Sequence, residues 1–244
     1  FQVWFWSYQN HNVMKMYPIV LLVGGYGTRL GRLTKKIPKA MIKINQRPFL
    51  YYLLNHLSSQ GFKDVILCTG YLGSQIKKYV GNGKKFNLDV KYSVEKKFLL
   101  GTAGCIKKAL PLLSNNFFII YGDTFLPIQF KKIQEVYLKK KAKALITIYK
   151  NTNKYDFSNI SLSKGNIYYE KNSKKKNMKY IDYGLSIFNK NVFKSLMFKK
   201  INDLSNVLNI LSKKKLLKYA IVKKRFYEIG SIKGLKEAKK ILVR

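Results

Sequence analysis

The chain has 244 residues, 47% of them hydrophobic, with 48 Lys plus Arg against 11 Asp plus Glu and a formal net charge of +37. That length suits one sizeable α/β domain, and the charge directs attention to anionic partners: nucleic acid, acidic surfaces or small anionic substrates. The lysines are dispersed in short runs, at Lys139 to Lys141, Lys174 to Lys176 and Lys213 to Lys215, without an RNP-like, zinc-finger or basic-zipper pattern, so specific nucleic-acid binding is not expected.

Residues 1–16, FQVWFWSYQNHNVMKM, are aromatic-rich and lack the basic, apolar and small-residue zones of a signal peptide. They read as a leader outside the fold, with residues 17–244 as a single domain. No apolar run approaches the ~18 residues that span a membrane. Cys68 and Cys105 show no metal spacing and read as buried thiols of a reducing, cytoplasmic compartment.

Ile19 to Val23 is a short apolar run suited to a strand buried on both faces. It breaks into Gly24, Gly25, Tyr26, Gly27, Thr28 and Arg29. Three glycines in four positions let backbone amides approach a ligand and form an anion nest, and Arg29 adds a fixed fork of donors for phosphate oxygens. A dinucleotide fingerprint would need glycine at Leu30, and no G-K-[S/T] of a P-loop follows. Pro38, Lys39, Ala40 and Met41 instead place a rigid turn and a second cation about ten residues past Arg29.

Beyond this, Pro48 and Phe49 open a helix through Gln60 that Gly61 stops. Asp64 to Thr69 is a second buried strand, Ser74 to Val80 a helix, and Leu88 to Val94 an alternating strand. The rhythm argues a mainly parallel, Rossmann-like sheet flanked by helices, with ligands beyond the carboxyl ends of its strands. Gly101, Thr102, Ala103 and Gly104 open another helix with small residues, which lets a flat or anionic group approach its N-terminus. Asn116 to Tyr121 is a strand ending in Gly122 and Asp123, where a carboxylate suits a metal or hydroxyl contact or caps the next helix. A helix from Gln129 to Lys140 and a strand from Ala144 to Tyr149 follow. The remainder reads as a smaller antiparallel portion: a hairpin of Phe157 to Leu162 and Asn166 to Tyr169 about Lys164 and Gly165, then Glu170 and Lys171, Tyr180 to Gly184, Arg225 to Ser231, and an amphipathic helix from Ile232 to Val243.

The combination GG-x-GTRL…LT…PK-x-M, with Glu95 before LLGTAG, the G-D pair at Gly122 and Asp123, the E-K pair at Glu170 and Lys171, and D-x-G at Asp182 and Gly184, resembles the sugar-1-phosphate nucleotidyltransferases. The departures at Gly31, Arg32, Ala40 and Glu228 suggest a branch near the guanylyltransferases for mannose- or heptose-1-phosphate. The resemblance implies transfer of a nucleotidyl group from an NTP to a sugar 1-phosphate, giving an NDP-sugar for surface polysaccharide or glycan synthesis. It implies that Gly24, Gly25, Gly27, Thr28, Gly101 and Thr102 bind the nucleotide. It places Glu170, Lys171, Asp182 and Gly184 at the sugar and its phosphate, and Mg²⁺ on Asp123. Glu228 stands where relatives carry a second metal-facing Asp, so it is either a ligand on a longer arm or structural.

A phosphate monoester is largely dianionic at neutral pH and needs no protein base. Catalysis would therefore be positioning and charge neutralisation, with Arg29 on the β- and γ-phosphates, Lys39 on the α-phosphate and Lys171 on the incoming phosphate. The residues also leave open a cytidylyltransferase acting on an alcohol phosphate such as phosphocholine, or a protein that binds nucleotide or nucleic acid without turnover.

Overall fold

In the computed structural model, residues 14–96, 98–151, 157–171, 178–196 and 201–242 are described. Its strands are β1 (Ile19–Leu22), β2 (Lys43–Ile44), β3 (Arg47–Pro48), β4 (Asp64–Thr69), β5 (Asp89–Val94), β6 (Asn116–Tyr121), β7 (Thr124–Phe125), β8 (Ala144–Lys150), β9 (Ile160–Ser163), β10 (Asn166–Tyr169), β11 (Tyr180–Asn189), β12 (Leu217–Val222) and β13 (Tyr227–Glu228). Its helices are α1 (Phe49–Ser59), α2 (Gly73–Val80), α3 (Gly101–Ala109), α4 (Phe130–Lys139), α5 (Lys190–Ser195), α6 (Leu204–Lys213) and α7 (Ile232–Ile241).

The apolar run at the glycine loop becomes β1, flanked by β4 and β6 and parallel to both, with β5 outside β4. Side chains alternate across a strand. Ile19 and Leu21 accordingly face a core built with α1, α2 and α4, while Val20 faces a second core built with α3, α5 and α6. Burial on both faces is what an unbroken apolar strand requires. A third cluster packs Leu235, Ala238 and Leu242 of the α7 region on Phe49 and Leu53 of α1, beneath Leu30.

The antiparallel portion is continuous with this sheet. β11 pairs antiparallel with β6 on one side and with β8 on the other, and its first residue, Tyr180, meets Ile160 of β9. The sheet therefore runs β10-β9-β11-β6-β1-β4-β5, with β8 and β12 joined through β11. The register of β11 on β8 shifts between Asp182 and Ser186, and Gly184 in that irregularity has φ +94, a value open mainly to glycine.

Several expectations are corrected. The first hairpin strand begins at Ile160 rather than Phe157, which is exposed. The tight turn at Lys164 and Gly165 forms with both residues at positive φ, the geometry of a two-residue hairpin. The chain from Leu185 to Lys224, which carries no motif, supplies the end of β11, α5, α6 and β12. The last residues of the stretch read as a leader pack against the fold. Met16 is buried in the main core, and Gln134 of α4, itself buried, accepts from the Tyr17 amide at 2.9 Å and donates to the Lys15 carbonyl at 2.8 Å. Residues 1–13 lie outside the described residues, as do Lys174 to Lys176 and Val243. Among the described residues no helix is long and apolar enough to cross a membrane.

Candidate active site

β1 and β6 run parallel in register, Leu22 opposite Tyr121, so the glycine loop and the Gly122–Asp123 corner leave the sheet side by side. The Gly122 amide donates to the Leu22 carbonyl at 3.0 Å. Asp123 then meets Lys39: Nζ lies 2.5 Å from Oδ2, while Thr124 Oγ1 donates to Oδ1 at 3.0 Å. Lys39 is aimed by the turn after Pro38, where the Met41 amide donates to the Pro38 carbonyl at 2.8 Å. Gly27, at φ +67, lets Thr34 and Lys39 pack close under the loop; a Cβ there would stand 2.9 Å from Thr34 Cγ2. At Gly25 a Cβ would meet no protein atom within 4 Å, so internal packing does not require that glycine. Its bare backbone faces a cavity, in keeping with the anion-nest reading.

Glu228 arrives by a separate route. It pairs with Thr124 across the β7–β13 ribbon, and the Ile229 amide donates to the Asp123 carbonyl at 2.9 Å. Next along, Gly230 makes room for two cations: its Cβ would fall 3.2 Å from Arg29 Nη2 and 3.3 Å from Lys39 Nζ.

The start of α3 differs from expectation. Its third and fourth amides are engaged, Ala103 donating to the Asn202 carbonyl at 2.7 Å and Gly104 to the same oxygen at 3.4 Å. A Cβ on Gly101, at φ +74, would fall 2.4 Å from that oxygen. Thr102 Oγ1 donates to Asp203 Oδ1 at 3.1 Å and accepts from the Leu204 amide at 2.7 Å. These small residues therefore also dock the start of α6, while Gly101 and Thr102 line the glycine-loop cavity.

Glu95 closes the far end of the glycine loop. Its Oε1 accepts from the Leu100 amide at 2.7 Å, and Oε2 lies close to both Gly24 and Gly70. Burial raises its pKa, opposed by the Leu100 hydrogen bond and the charge of Lys108.

Of the E-K pair, Lys171 lines a cavity, whereas Glu170 is exposed and its amide donates to the Asn159 carbonyl at 2.9 Å. Lys171 Nζ pairs with Asp203 Oδ2 at 2.8 Å. Burial pushes the Asp203 carboxyl up, but hydrogen bonds from Lys171 and Ser205 outweigh it and hold the pKa below the usual value. Asp182 Oδ1 accepts from the Gly184 amide at 2.9 Å, and burial raises its pKa to about 6 against that hydrogen bond.

Two cavities result. One, about 320 Å³, is lined by the glycine loop, Lys39, Glu95, Gly101 and Cys105. The other, about 660 Å³, is lined by Lys171, Asp182, Gly184, Asp203, Glu228 and Lys233 among others. They share Arg29, Thr102, Tyr121 and Asp123. Six of the ten acidic residues among the described residues line one or the other. In a chain at +37 that concentration marks the cavities as built for more than gathering anions. Sequence reasoning missed Asp203, Tyr121 and the Arg225–Glu237 pair, whose Nη2 and Oε2 lie 2.5 Å apart on the wall. For Asp203 a signal existed: an acidic N-cap directly ahead of Leu204, Val207, Leu208 and Leu211 at helical spacing.

Comparison with known proteins agrees with this geometry. A D-glycero-alpha-D-manno-heptose 1-phosphate guanylyltransferase of Campylobacter jejuni is 31% identical over 215 residues, covering 86% of this chain and 93% of its own. The protein of the same name from Aneurinibacillus thermoaerophilus is 40% identical over 124 residues, half of this chain and 53% of its own. The crystal structure of HddC from Yersinia pseudotuberculosis complexed with GMP-PN superposes with a TM-score of 0.76 at 27% identity, covering 93% of this chain and 99% of that one. The Nucleotidyl transferase family model matches residues 18–243, and the chain belongs to that family.

Proposed function

We propose that the protein transfers a guanylyl group from GTP to a sugar 1-phosphate, with a heptose or mannose 1-phosphate as acceptor, releasing pyrophosphate. The observation that carries this reading is the pair of cavities meeting at Arg29, Thr102, Tyr121 and Asp123. One has the bare glycine loop for a triphosphate, and the other has Lys171 and the half-buried Asp182 carboxylate for a sugar phosphate and its hydroxyls. The relatives named for heptose 1-phosphate and the neighbour crystallised with GMP-PN support the choice of sugar and base.

An oxygen of the sugar phosphate attacks the α-phosphorus, forming the new P–O bond as the bond to the β-phosphate oxygen breaks and pyrophosphate leaves. The attacking phosphate is already anionic, and neither histidine is asked to serve as a base: His56 bonds the Leu126 carbonyl through Nε2 at 2.9 Å, with burial holding its pKa down. Arg29 holds the leaving pyrophosphate with its planar fork. Lys39 turns toward the α-phosphate as charge grows there, and Lys171 meets the incoming phosphate.

Among the described residues no three His, Cys, Asp or Glu converge on a point. Asp123 with Glu228 nevertheless fits Mg²⁺, an ion that takes one or two carboxylates and completes its shell with phosphate oxygens and water. When bound it would neutralise phosphate charge and keep the reacting groups in line. The test crosses four NTPs with hexose and heptose 1-phosphates and measures pyrophosphate release; GTP with a heptose or mannose 1-phosphate is expected to give the highest kcat/KM. A preference for another base, or no turnover with any pair, overturns the reading.

A further inference from the structure

We propose that Asp203 is the positioning residue for Lys171, fixing the ammonium at the sugar-phosphate end of the larger cavity and tying it to the nucleotide side through Thr102. The inference rests on the functional reading above and adds to it a physical link between the two substrate sites.

Asp203 is the N-cap of α6, and its two oxygens divide their work. Oδ1 accepts from the Ser205 amide at 3.0 Å, closing the helix, and from Thr102 Oγ1 at 3.1 Å. Oδ2 accepts from Lys171 Nζ at 2.8 Å. The base of this arrangement is rigid, because Leu204, Val207, Leu208 and Leu211 bury the helix in the core. Its upper end is not: the Lys171 side chain is 55% exposed, and a four-carbon stem left alone samples many rotamers. An ammonium carries three donors. One on Asp203 sets its position and leaves two for a phosphate.

Thr102 completes the link. It stands in the first turn of α3, lines both cavities and gives its hydroxyl to Asp203 while accepting from Leu204. A displacement of α3 on the nucleotide side is therefore passed to Asp203 and on to Lys171.

Asp203→Asn separates the two roles. Asparagine caps helices as well as aspartate and keeps an oxygen for Thr102 and Ser205, but it has no charge for Lys171. With GTP and the accepted sugar 1-phosphate, the variant should melt within a few degrees of the wild type. Its KM for the sugar 1-phosphate should rise about tenfold, the scale of a lost charge-assisted hydrogen bond, with the KM for GTP within about twofold. In a Lys171→Met background the same substitution should change the sugar KM no further, since coupled residues share one effect. An unchanged or lowered sugar KM in Asp203→Asn overturns the inference, as does an effect that persists in full without Lys171. If Asp203→Asn does not fold, Thr102→Val poses the question from the other end, with a raised sugar KM expected and an unaltered one fatal. Wild-type protein that releases no pyrophosphate with any pair refutes the functional reading itself, whereas normal wild-type turnover with an unshifted variant refutes only the role of Asp203.

Discussion

Lys39 Nζ and Asp123 Oδ2 lie 2.5 Å apart across 84 residues of sequence, with their side chains 14% and 26% exposed. Each is thus the ionic partner of the other at the junction of the two cavities. Removing one leaves the other without its counter-charge in a partly desolvated place, where such a loss is costly.

Lys39→Ala is expected to lower kcat more than it raises either KM, by roughly thirty- to a thousandfold, as for loss of a donor to a transition-state oxyanion. Asp123→Asn is expected to lose most turnover at saturating Mg²⁺. Because the two residues touch, the double variant should be no slower than the worse single one. Steady-state kinetics with both substrates varied checks all three; additive losses would mean that the residues act independently.

Asp182 makes a pH prediction. Its carboxyl titrates near 6 in the fold against 3.8 in an ordinary setting, so the unfolded chain releases this proton at lower pH. Stability is therefore lost as pH rises from 3.8 to about 6, and no further loss arises from this group above that. Asp182→Asn should be more stable than the wild type at pH 8, by roughly 1 to 3 kcal/mol, and the gain should vanish near pH 4. The sugar KM should rise in the same variant, since a hydroxyl acceptor is weakened. Denaturant melts at the two pH values check the sign.

Two glycines separate packing from binding. A Cβ on Gly101 would stand 2.4 Å from the Asn202 carbonyl at φ +74, so Gly101→Ala should cost more than about 1 kcal/mol of stability and disturb the Asp203 arrangement. Gly25 has open space around its Cβ position. Gly25→Ala should melt like the wild type yet raise the KM for GTP, because the methyl enters the space a phosphate would use. Thermal melts beside GTP kinetics distinguish the two; a destabilised Gly25→Ala would show that the loop is packed, not open.

The packing of Lys15, Met16 and Tyr17 is equally testable. A chain beginning at Met14 keeps Met16 in the core and both hydrogen bonds to Gln134, so it should unfold cooperatively and turn over at the full rate. A chain beginning at Pro18 loses a buried Met and leaves the Gln134 amide unpaired, at a cost of about 2 to 5 kcal/mol. A melting temperature equal to that of the Met14 chain would show that this anchor contributes nothing.

The features legible in the amino-acid order alone are local. The apolar runs from Ile19, Asp64 and Asn116, the glycine loop, the Lys164–Gly165 turn and the α7 stripe were legible because each is set by side-chain periodicity or by a backbone conformation that few residues adopt. The family motifs single out Arg29, Lys39, Asp123, Lys171 and Asp182 because such motifs are short and contiguous. The tertiary structure decided who meets whom. That Asn202 takes the Ala103 and Gly104 amides of α3 depends on α6 lying against α3, and that Asp203 reaches Lys171 depends on β10 ending above the same helix. Glu228 reaches the neighbourhood of Asp123 only through the β7–β13 ribbon, two strands of two residues each. Segments so short carry no periodic signal, and pairings over 32 to 101 residues, such as Lys171 with Asp203 and Thr102 with Asp203, are fixed by how the helices and strands pack rather than by anything in their own stretch of chain.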